Sequence, residues 1–226
     1  MPRTKSPLLA RLRSGNQPIV TWVLIALNVV IYALQLLSGN VVTAALLFVA
    51  RLPWEAHEPW RMITYAFVHS PGSLLHIGLN MLSLFLFGPM LERGVGKGRF
   101  IALYLVSALG GAVAVLLLVP GTSVLGASGA IFGLLGAFFV IQRKLGGNTV
   151  QLMVVIGINL VIGFLPGTNI SWQAHVGGLL AGASVAFVYL RTRRRDQRTT
   201  QIVLVALIVA VLVALSAVRI VIATVT

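Results

Sequence analysis

The chain has 226 residues, 58% of them hydrophobic and only 9% charged, with seventeen basic residues against four acidic ones and a net charge of +13. A soluble domain carries about 25% charged residues, so a water-soluble globule is excluded; the apolar residues fall in blocks close to the roughly 20 residues that span a bilayer. The basic residues lie in short connections between those blocks, which is a positive-inside pattern rather than a nucleic-acid surface, and the lack of cysteine rules out disulfides and thiolate chemistry.

Residues 1–17 carry Arg3, Lys5, Arg11 and Arg13 without an acid and read as a cytoplasmic tail. The block that follows is too long for a signal peptide and has no A-x-A site after it, so it is expected to stay as the first spanning helix, 18–37. Residues 39–73 form the longest connection. They mix Trp54, Glu55, His57, Glu58, Trp60, Arg61 and His69 with apolar residues. The apolar run 41–49 is too short to cross, and the segment is expected to lie in the interface plane.

Further spans are predicted at 74–91, 100–119, 128–142, 150–165, 172–190 and 202–223. Their stops are Glu92, Pro120-Gly121, Arg143-Lys144, Pro166-Gly167 and the arginines of 191–198, with Arg219 able to snorkel from the last span. The fold class is therefore an all-α polytopic membrane protein. Fourteen of the seventeen basic residues fall on one side, which predicts a cytoplasmic N-terminus and an external C-terminus in a plasma (inner) membrane. The arginine-rich loop serves as a topology anchor or meets anionic lipid.

No Asp or Glu falls inside a predicted span, which excludes an intramembrane Ser-His-Asp triad and a carboxylate proton relay. Ser128, His76, Asn80 and His175 remain. Ser128 lies fifteen residues before Arg143, His175 sixteen before Arg191, and His76 sixteen before Glu92. At 1.5 Å per residue all three stand about 22–24 Å above the inner face. That depth is below the outer edge of a hydrocarbon core about 30 Å thick. The fourth span covers only about 22 Å of helix. The irregular stretch 120–127 must complete it, and such backbone is tolerated only where it is buried in protein or lines a wet cavity. A water-accessible pit above Ser128 follows.

Taken singly, each residue has a plainer reading. A membrane serine most often joins helices, and a His/Asn pair can be a packing contact. The shared depth on three helices is what sets them apart. Gly129 with Gly133, and Gly178 with Gly182, form small-xxx-small faces. If the two faces meet, Ser128 and His175 come together.

These residues resemble a known family, the rhomboid intramembrane serine proteases. The matching features are Gly126-Ala127-Ser128-Gly129, Ala174-His175 with Gly178 and Gly182, His76 with Asn80, and Glu58-Pro59-Trp60-Arg61. The resemblance covers residues 18–191 as a six-helix core, with 192–226 a basic loop and an added seventh helix. It implies that Ser128 is the nucleophile and His175 the general base, forming a dyad. It gives the oxyanion donors as His76, Asn80 and the Ser128 backbone N–H. It implies transmembrane protein substrates that enter beside the fifth helix and under 166–171, with small residues at the cut.

Gly126, Gly129, Phe132, Trp60 and Arg61 are the supporting residues. Phe132 is four residues past Ser128 on one helix face, so it either stacks on the imidazole or simply packs; many family members have Tyr there. Trp60 and Arg61 are expected to fix the long loop, His69 to be structural, and His57 to be exposed. No metal or other cofactor is expected: H-E-x-x-H and Cys are absent, and no carboxylate lies at the right depth. Two rivals stand beside this reading. One is an inert rhomboid-like protein that binds membrane helices, although such relatives lack the nucleophile or base. The other is a small transporter, which calls for inverted repeats that the sequence does not show.

Overall fold

The structure, a computed structural model, describes residues 17–50, 57–165 and 170–225. The basic tail, Arg51, Trp54, Glu55 and the Pro166-Gly167 stop lie outside those residues. Seven principal helices follow in order: α1 Ile19–Leu37, α2 Leu74–Val95, α3 Lys97–Leu118, α4 Ser128–Lys144, α5 Val150–Gly163, α6 Trp172–Arg191 and α7 Arg198–Val225. The protein is an all-α polytopic membrane protein. Among the described residues five helices are long and apolar enough to cross a membrane; the 17-residue α4 and the 14-residue α5 are shorter.

The short α4 is the axis of the fold. Every residue from Gly129 to Ala137 is buried, so its first turns meet protein on all sides. Glycine is what lets its neighbours come so close. A Cβ placed on Gly178 would strike the Gly129 carbonyl oxygen, and one on Gly182 would strike that of Gly133. The two small-residue faces therefore meet, with α4 and α6 in backbone contact. On the other flank Ser107 of α3 occupies the space beside Gly133.

The long connection is more ordered than an interfacial segment requires. It holds a short helix, Val41–Leu46, and then strand β1, Phe48–Val49. The helical turn Arg61–Thr64 follows, and a 3-10 turn, Tyr65–Phe67. Strand β1 pairs antiparallel with β2, Ser123–Val124, in the stretch before Ser128. This ribbon was not expected in an all-helical chain. Its physical cause is the depth of 120–127, where backbone groups need partners that lipid does not supply. Arg61 binds the Glu58 carboxylate at 2.8 Å and reaches the carbonyls of Ala44 and Leu47, tying the short helix to the turn. Trp60 is 52% exposed, at the rim of the segment, and His57 is exposed.

One boundary needs correction. Glu92 is not a loop residue that bounds the second span: α2 continues to Val95, and Glu92 is 1% exposed inside it. Its carboxylate accepts the backbone N–H groups of Val20 at 3.0 Å and Thr21 at 2.8 Å, and the Thr21 hydroxyl at 2.8 Å. No side chain caps the start of α1 from its own N-cap position. Glu92 therefore places an anion at the positive end of that helix, and three donors offset the burial of its charge.

Candidate active site

Ser128, His76 and His175 each stand in the first turn of a helix that starts on the same side of the bundle. Two of these helices are capped by serines: Ser73 accepts the His76 N–H at 3.2 Å, and Ser171 accepts the Ala174 N–H at 3.3 Å. Ser128 instead opens α4 without a side-chain cap. Its turn leaves backbone N–H groups free at the positive helix end.

Gly126 brings the parts together. Its φ of 120° is a conformation that side chains rarely adopt, and its N–H donates to the Tyr65 carbonyl at 3.0 Å. A Cβ here would stand 2.8 Å from His76 Nε2 and 3.8 Å from Ser128 Oγ, so the glycine leaves the gap in which both groups sit. Gly126→Ala is expected to cut turnover at least tenfold while the helical CD signal persists, because the added carbon displaces His76 or the turn. Unaltered turnover would show that neither position matters to the site.

The His76 ring is oriented from behind. Ser70 N–H donates to Nδ1 at 3.2 Å, which leaves the proton of the neutral ring on Nε2, the nitrogen facing Gly126 and Ser128. Asn80 is 6% exposed and donates from Nδ2 to the His76 carbonyl at 2.7 Å. His69 is fully buried, and its ring meets that of His76 edge-on at 5.2 Å. Gln35 clamps the His69 backbone on both sides, accepting its N–H and donating to its carbonyl. Burial, and then the neighbouring His76, hold the His69 pKa down at about 3, so this ring stays neutral.

His175 is 5% exposed and lies flat on Phe132, with centroids 4.0 Å apart and planes 7° from parallel. Its Nδ1 is buried, with no hydrogen-bond partner among the described residues. The stack on Phe132 therefore sets the plane of the ring. Gly129 and Ala174, the chain neighbours of Ser128 and His175, are in contact: a Cβ on Gly129 would lie 3.4 Å from the Ala174 carbonyl oxygen. Among the described hydrogen bonds none joins Ser128 Oγ to the imidazole, and resting sites often leave that bond long until substrate arrives.

Sequence reasoning missed Tyr65. Its hydroxyl donates to the Ala108 carbonyl of α3 at 2.9 Å and fills the space beside Gly111 and Gly129. Through its own carbonyl it also holds Gly126. The long loop is thus fastened to the turn before Ser128 by Tyr65 as well as by the ribbon. Only an aromatic four residues past Arg61 hinted at it.

Fold and site define a polytopic helical membrane protein with a serine and a histidine gathered at the mouth of a buried helix. Residues 56–192 match the Rhomboid domain. The chain belongs to the rhomboid family. It is 33% identical over 190 residues to "Rhomboid protease GlpG" of Haemophilus influenzae, covering 80% of this chain and 96% of that protein. It is 32% identical over 191 residues to "Putative rhomboid protease YdcA" of Bacillus subtilis, covering 79% and 92%. With "RHOMBOID-like protein 5" of Arabidopsis thaliana it shares 41% over 145 residues, which is 60% of this chain and 46% of that protein. The chain thus spans about half the length of that relative.

Proposed function

We propose that the protein is an intramembrane serine endopeptidase that hydrolyses peptide bonds in or near transmembrane segments of other membrane proteins. His76 Nε2 and Ser128 Oγ at the Gly126 gap, with His175 stacked on Phe132 one turn past Ser128, support this reading. The names of the two bacterial relatives, a rhomboid protease and a putative rhomboid protease, agree with it.

The hydroxyl of Ser128 attacks the scissile carbonyl carbon while His175 takes its proton, since a serine hydroxyl alone is a weak nucleophile. The negative charge forms on the carbonyl oxygen. His76 Nε2–H, the Asn80 amide and the Ser128 backbone N–H are the donors that receive it, and each such donor is worth on the order of 10²–10³ in rate. His175 then protonates the leaving amine as the C–N bond breaks. Water, activated by the same imidazole, hydrolyses the Ser128 ester and restores the hydroxyl. Ser128 itself is only half-buried, which leaves a path for that water to its hydroxyl.

Orientation follows from the charge pattern. The basic loops lie in the cytoplasm, and the site opens toward the opposite surface. Substrate helices enter from the lipid beside α5.

Asn80→Ala is expected to slow cleavage without abolishing it, because two donors remain; an unchanged rate would remove Asn80 from the oxyanion role. Phe132→Ala is expected to lower kcat by about tenfold, the upper range for one aromatic stack, while Phe132→Tyr preserves it. Equal loss in both variants would point to a packing role alone. The reconstitution of the purified chain with a single-span substrate tests the proposal as a whole. An inert helix-binding relative would retain the substrate uncut, and a transporter would ignore it.

A further inference from the structure

A concavity lies on the flank of the bundle where α7 crosses α3 and α6. Gly110 and Ala114 of α3 pack against Gly177 and Ala181 of α6 so closely that a Cβ on Gly110 would strike the Ala181 Cβ. Small residues on both helices leave a valley where they cross. Helix α7 bridges this valley with branched side chains, among them Ile208 and Leu215, and does not fill it. The result is a groove of about 450 Å³, within the range of roughly 300–1,000 Å³ typical of small-molecule sites. No lining residue is charged, and the polar one, Ser184, donates its hydroxyl to Leu180 of its own helix at 2.8 Å.

The groove runs along the membrane normal. Its lining residues occupy 110–117 of α3, 177–184 of α6 and 207–215 of α7. Helices α3 and α7 start at the basic loops and α6 ends there. Counted from those ends, the lining residues lie about 14–30 Å in on α3 and α7 and about 10–21 Å in on α6. The groove therefore runs from near the midplane toward the leaflet opposite those loops. At its far end stands Arg219, four residues past Leu215 and therefore on the same face of α7. It lies twenty-one residues from the start of that helix, about 32 Å along it, a distance that matches a hydrocarbon core about 30 Å thick. Arg219 thus reaches headgroup level. It is partly buried, takes part in no ion pair among the described residues, and no Asp or Glu follows Asp196 in the sequence.

We infer that this groove is a binding site for one anionic phospholipid of the leaflet opposite the basic loops, its acyl chain in the valley between α3, α6 and α7 and its phosphate on Arg219. An arginine near a membrane surface calls for an anionic partner, and its planar donor pair fits phosphate oxygens. Among the described residues no carboxylate pairs with Arg219, whereas the lipid supplies both the anion and the hydrocarbon. An empty apolar valley would leave its walls without dispersion partners, and water finds too few polar groups in it to enter. The inner end of α7 is fixed independently by Gln201, which accepts from Arg99 at 2.6 Å and donates to the Thr192 carbonyl at 2.9 Å. The lipid therefore completes the packing of the outer half of α7 only.

The test uses the full chain in liposomes with a phosphatidylglycerol that carries a diazirine near the middle of one acyl chain. After photolysis, labelled peptides are mapped by mass spectrometry. The expected result is labelling concentrated on the groove-facing residues of α3, α6 and α7. Unlabelled phosphatidylglycerol should compete about tenfold better than phosphatidylcholine, the value of one charge-assisted hydrogen bond. Arg219→Gln should erase that preference while leaving the thermal melt of the core unchanged. Ala114→Phe, which fills the valley, should remove the concentrated labelling. Label spread evenly over all lipid-facing helices would overturn the proposal. So would competition indifferent to headgroup charge.

Discussion

Ser128→Ala is expected to lower cleavage of a reconstituted single-span substrate by about 10⁴- to 10⁶-fold, to the level of the assay background. The substitution removes one oxygen from a half-buried position at the start of α4 and leaves every neighbour in place. The variant should therefore fold, bind substrate and melt like the parent. His175→Ala should fall nearly as far. The double variant should be no worse than either single one, because a nucleophile without its base and a base without its nucleophile fail at the same step. The stack of Phe132 on His175 adds a further expectation. Removing the imidazole opens space on that ring face, so His175→Ala should show some loss of stability that Ser128→Ala does not.

The second large effect concerns the fold. Gly178→Val is expected to destabilise the protein by on the order of 3 kcal/mol or more, the upper range for overpacking a tight contact. A Cβ at this position collides with the Gly129 carbonyl oxygen, which is backbone and cannot rotate away. Helices α4 and α6 must separate, and with them Ser128 and His175, so activity should vanish along with the melting transition. Gly94→Ala is the control. A Cβ there meets nothing within 4 Å, and alanine is the better helix former, so melt and turnover should both hold. A Gly178→Val variant that melts and cleaves like the parent would show that the two helices do not touch through this face.

Much of this arrangement was legible because a membrane leaves a chain few choices. Seven apolar blocks bounded by arginine, proline and glycine give the helices. The distances of Ser128 and His175 from their arginine boundaries, and of His76 from Glu92, put all three near helix starts, although α2 runs on past Glu92 to Val95. The glycine pairs on α4 and α6 announced a close crossing, and one turn of spacing put Phe132 on the Ser128 face, where stacking on the imidazole and plain packing were both open; the structure shows the stack. What spacing did not show is how the connecting segments find partners. Glu92 reads as a loop acid because nothing in its neighbourhood predicts that α1, seventy residues earlier, lacks its own cap. The β1–β2 ribbon joins two stretches that each look irregular. Tyr65 acts through its hydroxyl and its carbonyl, and the carbonyl contact carries no sequence signal at all. Ser70 sets the His76 tautomer with a backbone N–H, which any residue but proline could supply. The helix and small-residue pattern was thus readable from the sequence, whereas backbone partnerships across the long loop required the structure.

The most direct test of the central claim is covalent capture of the nucleophile. The purified protein is treated with a fluorophosphonate, and the modified residue is located by mass spectrometry. The account predicts a single phosphonylated site at Ser128, formed in the parent and in Asn80→Ala but lost in His175→Ala. Labelling of Ser128 that proceeds at full rate without His175, or labelling at another serine in a preparation that still cleaves substrate, would contradict it.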